Sequence, residues 1–371
     1  MSRLIEACLS LGRALSLYVL MVAILLLPVR AFSATGVAAL DEPSVAAKAG
    51  ERDFLIAVAR AGDRIVAVGE HGLIIYSDDN GSTWKQASVP VSVALTDVRF
   101  TSADDGWAVG HYGVILHSAD GGATWREELN GIAANRLTLA AAEAAVAAKI
   151  NAPGLPLALR RAALFMQAGP DKPFLAVWPL DDRHVIAFGA YRMAMATNDG
   201  GKTWTDWSLR IGDPLSHNLY AVTAADGALY VVAETGLVFR SDDQGGSFAP
   251  VGHPGDATLF GALSTGDGGV LVFGVAGEAF RSGDGGKTWQ SLQTGAGDNL
   301  VAACTLAGGA ILMADENGRL FISRDHARSF AAVRLPTPGA LAGIVQAANG
   351  DVIAVGAAGV TRFHLSDLEL R

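Results

Sequence analysis

One segment of eight residues recurs six times along the chain: SDDNGSTW from Ser77, SADGGATW from Ser118, TNDGGKTW from Thr197, SDDQGGSF from Ser241, SGDGGKTW from Ser282 and SRDHARSF from Ser323. Successive starts lie 41, 79, 44, 41 and 41 residues apart, so the period is near 41 with one insertion of nearly a period between the second and third copies. A period in this range marks stacked units, each too small to bury its own apolar face.

The residues ahead of each copy give the unit its secondary structure. IVAVGEHGLIIYS, WAVGHYGVILHS and LVFGVAGEAFRS each join two alternating apolar runs through a glycine turn, the pattern of a β-hairpin. With the repeated segment turning the third strand into a fourth, the chain reads as all-β, four strands to a unit. Units of that size arranged radially make a β-propeller. Six units carry the segment, and the tail LAGIVQAANGDVIAVGAAGVTRFHLSD repeats three strands with His364 where the Ser should stand. The expected fold is a seven-bladed propeller over residues 35–371, closed by a strand from within residues 36–49 that completes the last blade. Six blades with a loose tail is the competing count. The extra length, residues 131–170, holds NRLTLAAAEAAVAAKI and PLALRRAALFMQ, rich in helix formers and separated by Pro153-Gly154. It predicts a short helical insertion between blades two and three.

Within the repeat, Asp79, Asp120, Asp199, Asp243, Asp284 and Asp325 can accept N–H bonds that a tight turn leaves unpaired. Trp84, Trp125, Trp204, Phe248, Trp289 and Phe330 can bury large area between blades. The glycine two residues after each Asp suits a positive φ, so Ala327 in the sixth copy predicts the most strained or irregular turn. GGKT at residues 285–288 looks like the end of a nucleotide-binding loop, but five residues before Gly286 stands Arg281, not the glycine that loop needs, and a strand follows.

At the N-terminus, ALSLYVLMVAILLL (residues 14–27) lies between Arg13 and the small residues around Ala31 to Ala34, as in a cleavable export signal over residues 1–34; an uncleaved anchor is the alternative. Removing it takes away three arginines and one glutamate and leaves 25 basic against 36 acidic residues. That balance argues against a nucleic-acid partner, which needs clustered Lys and Arg. Cys304 then has no partner for an internal disulfide.

The repeated segment is the Asp-box, or bacterial neuraminidase repeat. Together with the preceding Gly-x-x-Gly turns it resembles the photosystem II stability/assembly factor-like family, over about residues 50–366. The resemblance implies a non-enzymatic protein that binds other proteins during assembly of a membrane complex, with no catalytic residues, cofactor or metal. GPDKPFL (residues 169–175) after the helical insert is similar to bacterial relatives associated with RND-type envelope transporters. That implies a membrane protein or envelope transporter complex as partner, a periplasmic location (thylakoid lumen in a phototroph), and membrane association through the partner. Asp-boxes also occur in sialidases and other glycosidases, so a hydrolase is the alternative function. A sialidase would need three converging arginines and a Tyr-Glu pair, and the chain has no FRIP-like segment near its start.

Propeller topology puts the turns between second and third strands on the face that carries the insert, opposite the Asp-boxes. Candidate partner-binding residues there are Glu70, His71, His111, Tyr112, Tyr191, Arg192 and Glu234, with Asp315, Glu316 and Asn317 in the sixth blade and Arg160 and Arg161 in the insert. His71, His111, His217 and His253 come from four separate loops without zinc-site spacing. A bland reading of the insert makes it a cap over the central channel.

Overall fold

Alternating apolar runs become strands, and the strands assemble into seven antiparallel sheets arranged as the blades of a β-propeller. The structure is a computed structural model and describes residues 37–150, 154–334, 339–367 and 369–370; the expected export signal lies outside them. Residues 38–371 form one compact unit. In blade one the four strands are Leu55–Ala61, Arg64–Gly69, Ile74–Ser77 and Lys85–Gln86, in that order from the centre outward. The second strand of every blade is packed on both faces by its neighbours, which is why RIVAVG, GWAVG and VLVFG are nearly continuous apolar runs. First strands from all seven blades surround a central cavity of about 190 Å³. Among the described residues no helix is long and apolar enough to cross a membrane.

Ring closure departs from expectation. The seventh sheet keeps three strands, Leu341–Gln346, Val352–Gly356 and Gly359–Phe363, and among the described residues no N-terminal strand joins it. Residues 37–49 instead make a helical turn at Ala38–Asp41 and then run beside blade one. There Ser44 N–H donates to Val89 (3.1 Å), Ala47 N–H to the Gln86 side chain (2.8 Å), and Gln86 Nε2 to Val45 (3.0 Å). With these groups engaged by blade one, the segment has no ladder to offer blade seven. The ring is closed by face packing: Ile353 joins Ile65 and Ala347 in one cluster with Trp84 against it. Asn349 N–H donates to Asn80 Oδ1 (3.2 Å), and the Arg362 guanidinium donates to the Ser82 hydroxyl. His364 holds the Ser position only by count, because the Gly356–Gly359 turn is one residue tighter and Phe363 pairs with Val352 instead. The C-terminal strand Glu369–Leu370 adds to blade six, on Ala331–Arg334.

All six Asp-boxes form the same network. The Ser or Thr hydroxyl donates to the Asp Oδ1 and accepts the N–H of the residue four positions on, at 2.8–2.9 Å; in the third box Gly201 N–H reaches Thr197 Oγ1 at 2.9 Å. The Asp then accepts both the N–H and the hydroxyl of the Thr or Ser four residues further on, for Asp284 at 2.9 and 2.6 Å from Thr288. This turn presses its central residue against the preceding blade. In the fourth box Gly245 has φ +89° and a methyl group there would lie 2.4 Å from Ile186 Cδ1. Ala327 occupies that position in the sixth box, fully buried, at φ +59°. Its hydrogen bonds match the other copies, so the turn is strained and not irregular. Arginines add a second link between blades: Arg64 donates to the carbonyls of Asp120 and Gly121 (3.1 Å each), Arg240 to Gly285 (2.8 Å) and Arg281 to His326 (2.8 Å). Each reaches the Asp-box of the next blade.

Two outcomes follow from this arrangement. Gly245→Ala should destabilise the ring by about 2–4 kcal/mol, from left-handed strain plus overpacking, whereas Ala327→Gly should change stability by no more than about 1 kcal/mol, since relieved strain and added chain entropy oppose each other. Urea melts of the two variants measure both. Stability should also fall in acid. The hydroxyl bond from the Thr four residues on, then the N–H bonds, hold the carboxyls of Asp79, Asp199 and Asp284 at about 2 against an ordinary 3.8. Because the folded value is the lower one, the stabilisation is complete above the ordinary value and drains away as pH falls from about 4 towards 2. Melting temperatures across that range should drop, and Asp284→Asn should be less stable near neutrality with a shallower acid limb.

Candidate partner interface

The insertion folds as a helical hairpin on the face opposite the Asp-boxes. Helix α1 spans Gly131–Ala147 and helix α2 spans Leu155–Ala168. Asn130 caps α1 by accepting the N–H groups of Ile132 (3.0 Å) and Ala133 (3.2 Å). The C-terminus of α2 is capped from outside itself: the buried Asn135 of α1 donates Nδ2 to the carbonyls of Phe165 (3.1 Å) and Gly169 (3.0 Å). Ala134 and Phe165 enter the core shared by blades two and three, beside Leu129, Phe174 and Met193. Thr138 Oγ1 donates to Asp206 Oδ2 (2.7 Å) on the outermost strand of blade three. Burial pushes the Asp206 carboxyl up, against the opposing bonds from Thr138 and Ser208. The hairpin is therefore fastened to the ring at both helices.

Turn conformation decides which of the sequence candidates reach solvent. The middle residue of the turn after the second strand is left-handed in five blades, including His71 (φ +55°), Tyr112 (+56°) and Tyr191 (+54°). Glu70, His71, His111, Tyr191 and Arg160 are exposed, and Tyr112, Arg161, Glu234 and Glu316 are intermediate. The hairpin draws several of them together. Tyr191 packs its ring 5.7 Å from that of Phe165, with Lys172 Nζ 4.9 Å above Phe165, and Arg161 donates to the Leu215 carbonyl (3.4 Å).

Four expected surface residues are structural instead. Arg192 is only 3% exposed; it takes the place of the turn's second glycine, and its guanidinium turns inward to donate to the Asp213 carbonyl. Glu234 accepts the N–H (2.9 Å) and side-chain amide (3.0 Å) of Asn218, whose Oδ1 in turn accepts the Tyr191 N–H (2.8 Å). The same relay joins blades five and six, from Ala276 N–H through Asn299 to Glu316. Asp315, fully buried, accepts the N–H groups of Asn317 (3.1 Å) and Arg319 (2.8 Å). A recurring Asn-Leu at the head of two first strands, Asn218-Leu219 and Asn299-Leu300, is the signal that marks these relays in the sequence. Asn135 left no comparable trace.

The apolar exposure is uneven. Nine large hydrophobic side chains are exposed among the described residues, and seven of them lie on the hairpin or on the loops it touches: Val146, Ile150, Leu157, Leu164, Met166, Tyr191 and Leu215. The central channel differs in character. It is lined mostly by small and apolar side chains, with Tyr220 and Phe260 edge-to-face at 5.5 Å, and among the described residues none of the hairpin lines it. Its one lining carboxylate, Asp97, is held by the N–H groups of Val98 (2.9 Å) and Val177 (3.0 Å) beside Arg99 (3.5 Å). Burial pushes that carboxyl up, opposed mainly by Arg99. Among the described residues no three His, Cys, Asp or Glu side chains cluster as a metal site would require. Lys287 of the GGKT segment is an exposed turn residue on the Asp-box face.

A rigid Asp-box ring carrying one decorated face defines a seven-bladed propeller of the assembly-factor type. The sequence pattern of the family described as Photosynthesis system II assembly factor YCF48 matches residues 80–143 and 170–366, and the chain belongs to that family. The match breaks off within α1 and resumes after α2. Among solved structures, one of YCF48 bound to a D1 peptide is 15% identical, with a TM-score of 0.60 over 87% of this chain and 99% of that one. YCF48 from Cyanidioschyzon merolae is 14% identical, with a TM-score of 0.60 over 85% and 97%. A GH74 xyloglucanase from Xanthomonas campestris is also similar, at 14% identity and a TM-score of 0.58 over 86% of this chain and 53% of that one. At such identities the likeness is one of fold. No curated protein matches the sequence.

Asn135→Ala should leave the ring intact and loosen the hairpin, because two carbonyls at the end of α2 lose their buried donor, a local cost of about 1–3 kcal/mol. Hydrogen exchange resolved by peptide should quicken over residues 155–168 and stay unchanged over the blade cores.

Proposed function

We propose that the chain is an exported, non-enzymatic binding and assembly factor, an accessory subunit of a membrane protein complex in the cell envelope such as an RND-type transporter. The observation that carries this reading is membership of an assembly-factor family combined with a decorated face where the family pattern is interrupted. The relative solved with a D1 peptide supports a protein partner, and the signal-like N-terminus supports a periplasmic site of action. The mechanism is rigid presentation. The ring holds His71, His111, Tyr112 and Tyr191 in turns that cannot collapse, so a partner docks without the ordering cost that flexible loops would carry.

Affinity capture from detergent-solubilised envelopes, read by mass spectrometry, tests the proposal. The intact chain should enrich subunits of one membrane complex, and a variant lacking residues 134–168 should lose them while retaining a cooperative melt. If the deletion weakens the ring, the surface pair His111→Ala and Tyr112→Ala should lower recovery on its own. Undiminished capture by both variants would refute docking on this face.

A further inference from the structure

Exposed apolar and basic side chains lie together at two places on the hairpin. On α2, Leu157 and Leu164 bracket Arg160 at i, i+3 and i+7, and all three are exposed. At and just past the end of α1, Val146, Lys149 and Ile150 are exposed together, Lys149 and Ile150 lying beyond the last helical residue, Ala147. Apolar side chains alternating with long basic ones on an outer ridge suit the boundary between acyl chains and phosphate, where Lys and Arg stems lie along apolar surface and their heads reach the anionic layer. A globular partner would more naturally be offered a groove. Here the apolar groups stand on the outside of helices whose inner faces are already packed into the ring.

The charge of the hairpin points the same way. The whole chain carries a net −9, yet residues 131–170 contain Arg136, Lys149, Arg160 and Arg161 against the single acid Glu143. A basic apolar island on an acidic protein is complementary to an anionic surface and turns the rest of the ring away from it. The family pattern does not extend over α2, so this ridge is an addition to the shared scaffold.

We propose that the outer ridge of the hairpin, Val146, Lys149, Ile150, Leu157, Arg160 and Leu164, is a direct contact surface for an anionic phospholipid bilayer. It rests on the reading above that this is the working face, and it adds that the protein reaches the membrane through its own helices as well as through a partner. The propeller would sit hairpin-down, which leaves the turns of blades one and two free to meet a membrane protein alongside.

Flotation of residues 38–371 with large vesicles tests this without any partner present. Vesicles of phosphatidylcholine alone are compared with vesicles containing phosphatidylglycerol. The protein should float with the anionic vesicles and much less with the neutral ones, and raising the salt to about 0.5 M should release it. Two exposed-surface variants, Leu157→Ser with Leu164→Ser and Lys149→Glu with Arg160→Glu, should each reduce the bound fraction by about fivefold or more. Both should melt like the parent. A protein that stays soluble with anionic vesicles, or that floats equally well in either variant, overturns the proposal. Envelope capture that survives these substitutions while vesicle binding never occurs would overturn lipid contact and leave the partner reading standing.

Discussion

One carboxylate in each of six blades holds this ring together. In each Asp-box the Asp closes a turn through a hydroxyl before it and an N–H and hydroxyl after it, and that closure places a small residue against the preceding blade, as Gly245 against Ile186 and Gly286 against Val251. Blades can approach that closely because the turn presents a glycine there in five boxes and nothing larger than the methyl of Ala327 in the sixth. The aromatic three residues on then fills the space beside it, as Trp125 and Trp204 do at 6% and 7% exposure. Arginines from one blade grasping the turn of the next make the same contact polar at its rim. The interaction is local in sequence and repeated, so the ring tolerates interruption between blades without losing its register.

Closure shows what that packing can do alone. Blade seven has no Asp-box and, among the described residues, no outermost strand, yet it sits against blade one through Ile353, Trp84 and the Arg362–Ser82 contact. Shared strands remove exposed edges; here the edge stays, and face-to-face burial holds the ends of the ring in place.

The repeat made the architecture legible before any coordinates. Period, hairpin turns and Asp, Gly and aromatic positions each point to the same stacked unit, and the structure has seven such sheets with a helical insertion after the second. What escaped were features set by a single long-range partner. Residues 37–49 pair with side chains of blade one, which no periodicity encodes. Arg192 and Glu234 looked like surface groups because turns usually face water; one is buried with its guanidinium on the Asp213 carbonyl and the other is taken up by Asn218. Asn135, which ties the two helices together, is one polar residue in an alanine-rich run and carries no motif.

The division of labour is between a repeated mode of construction and a single place where it is broken. Asp-box residues build the ring and leave that face to solvent, whereas the hairpin and the turns beside it gather most of the exposed apolar side chains. Site-directed photocrosslinking in intact envelopes tests this most directly, with a photoreactive residue placed in turn at the exposed positions His111 and Leu164 on the hairpin face and at Lys202 and Lys287 on the Asp-box face. The account predicts adducts from the first pair and none from the second; adducts formed only through the Asp-box face would contradict it.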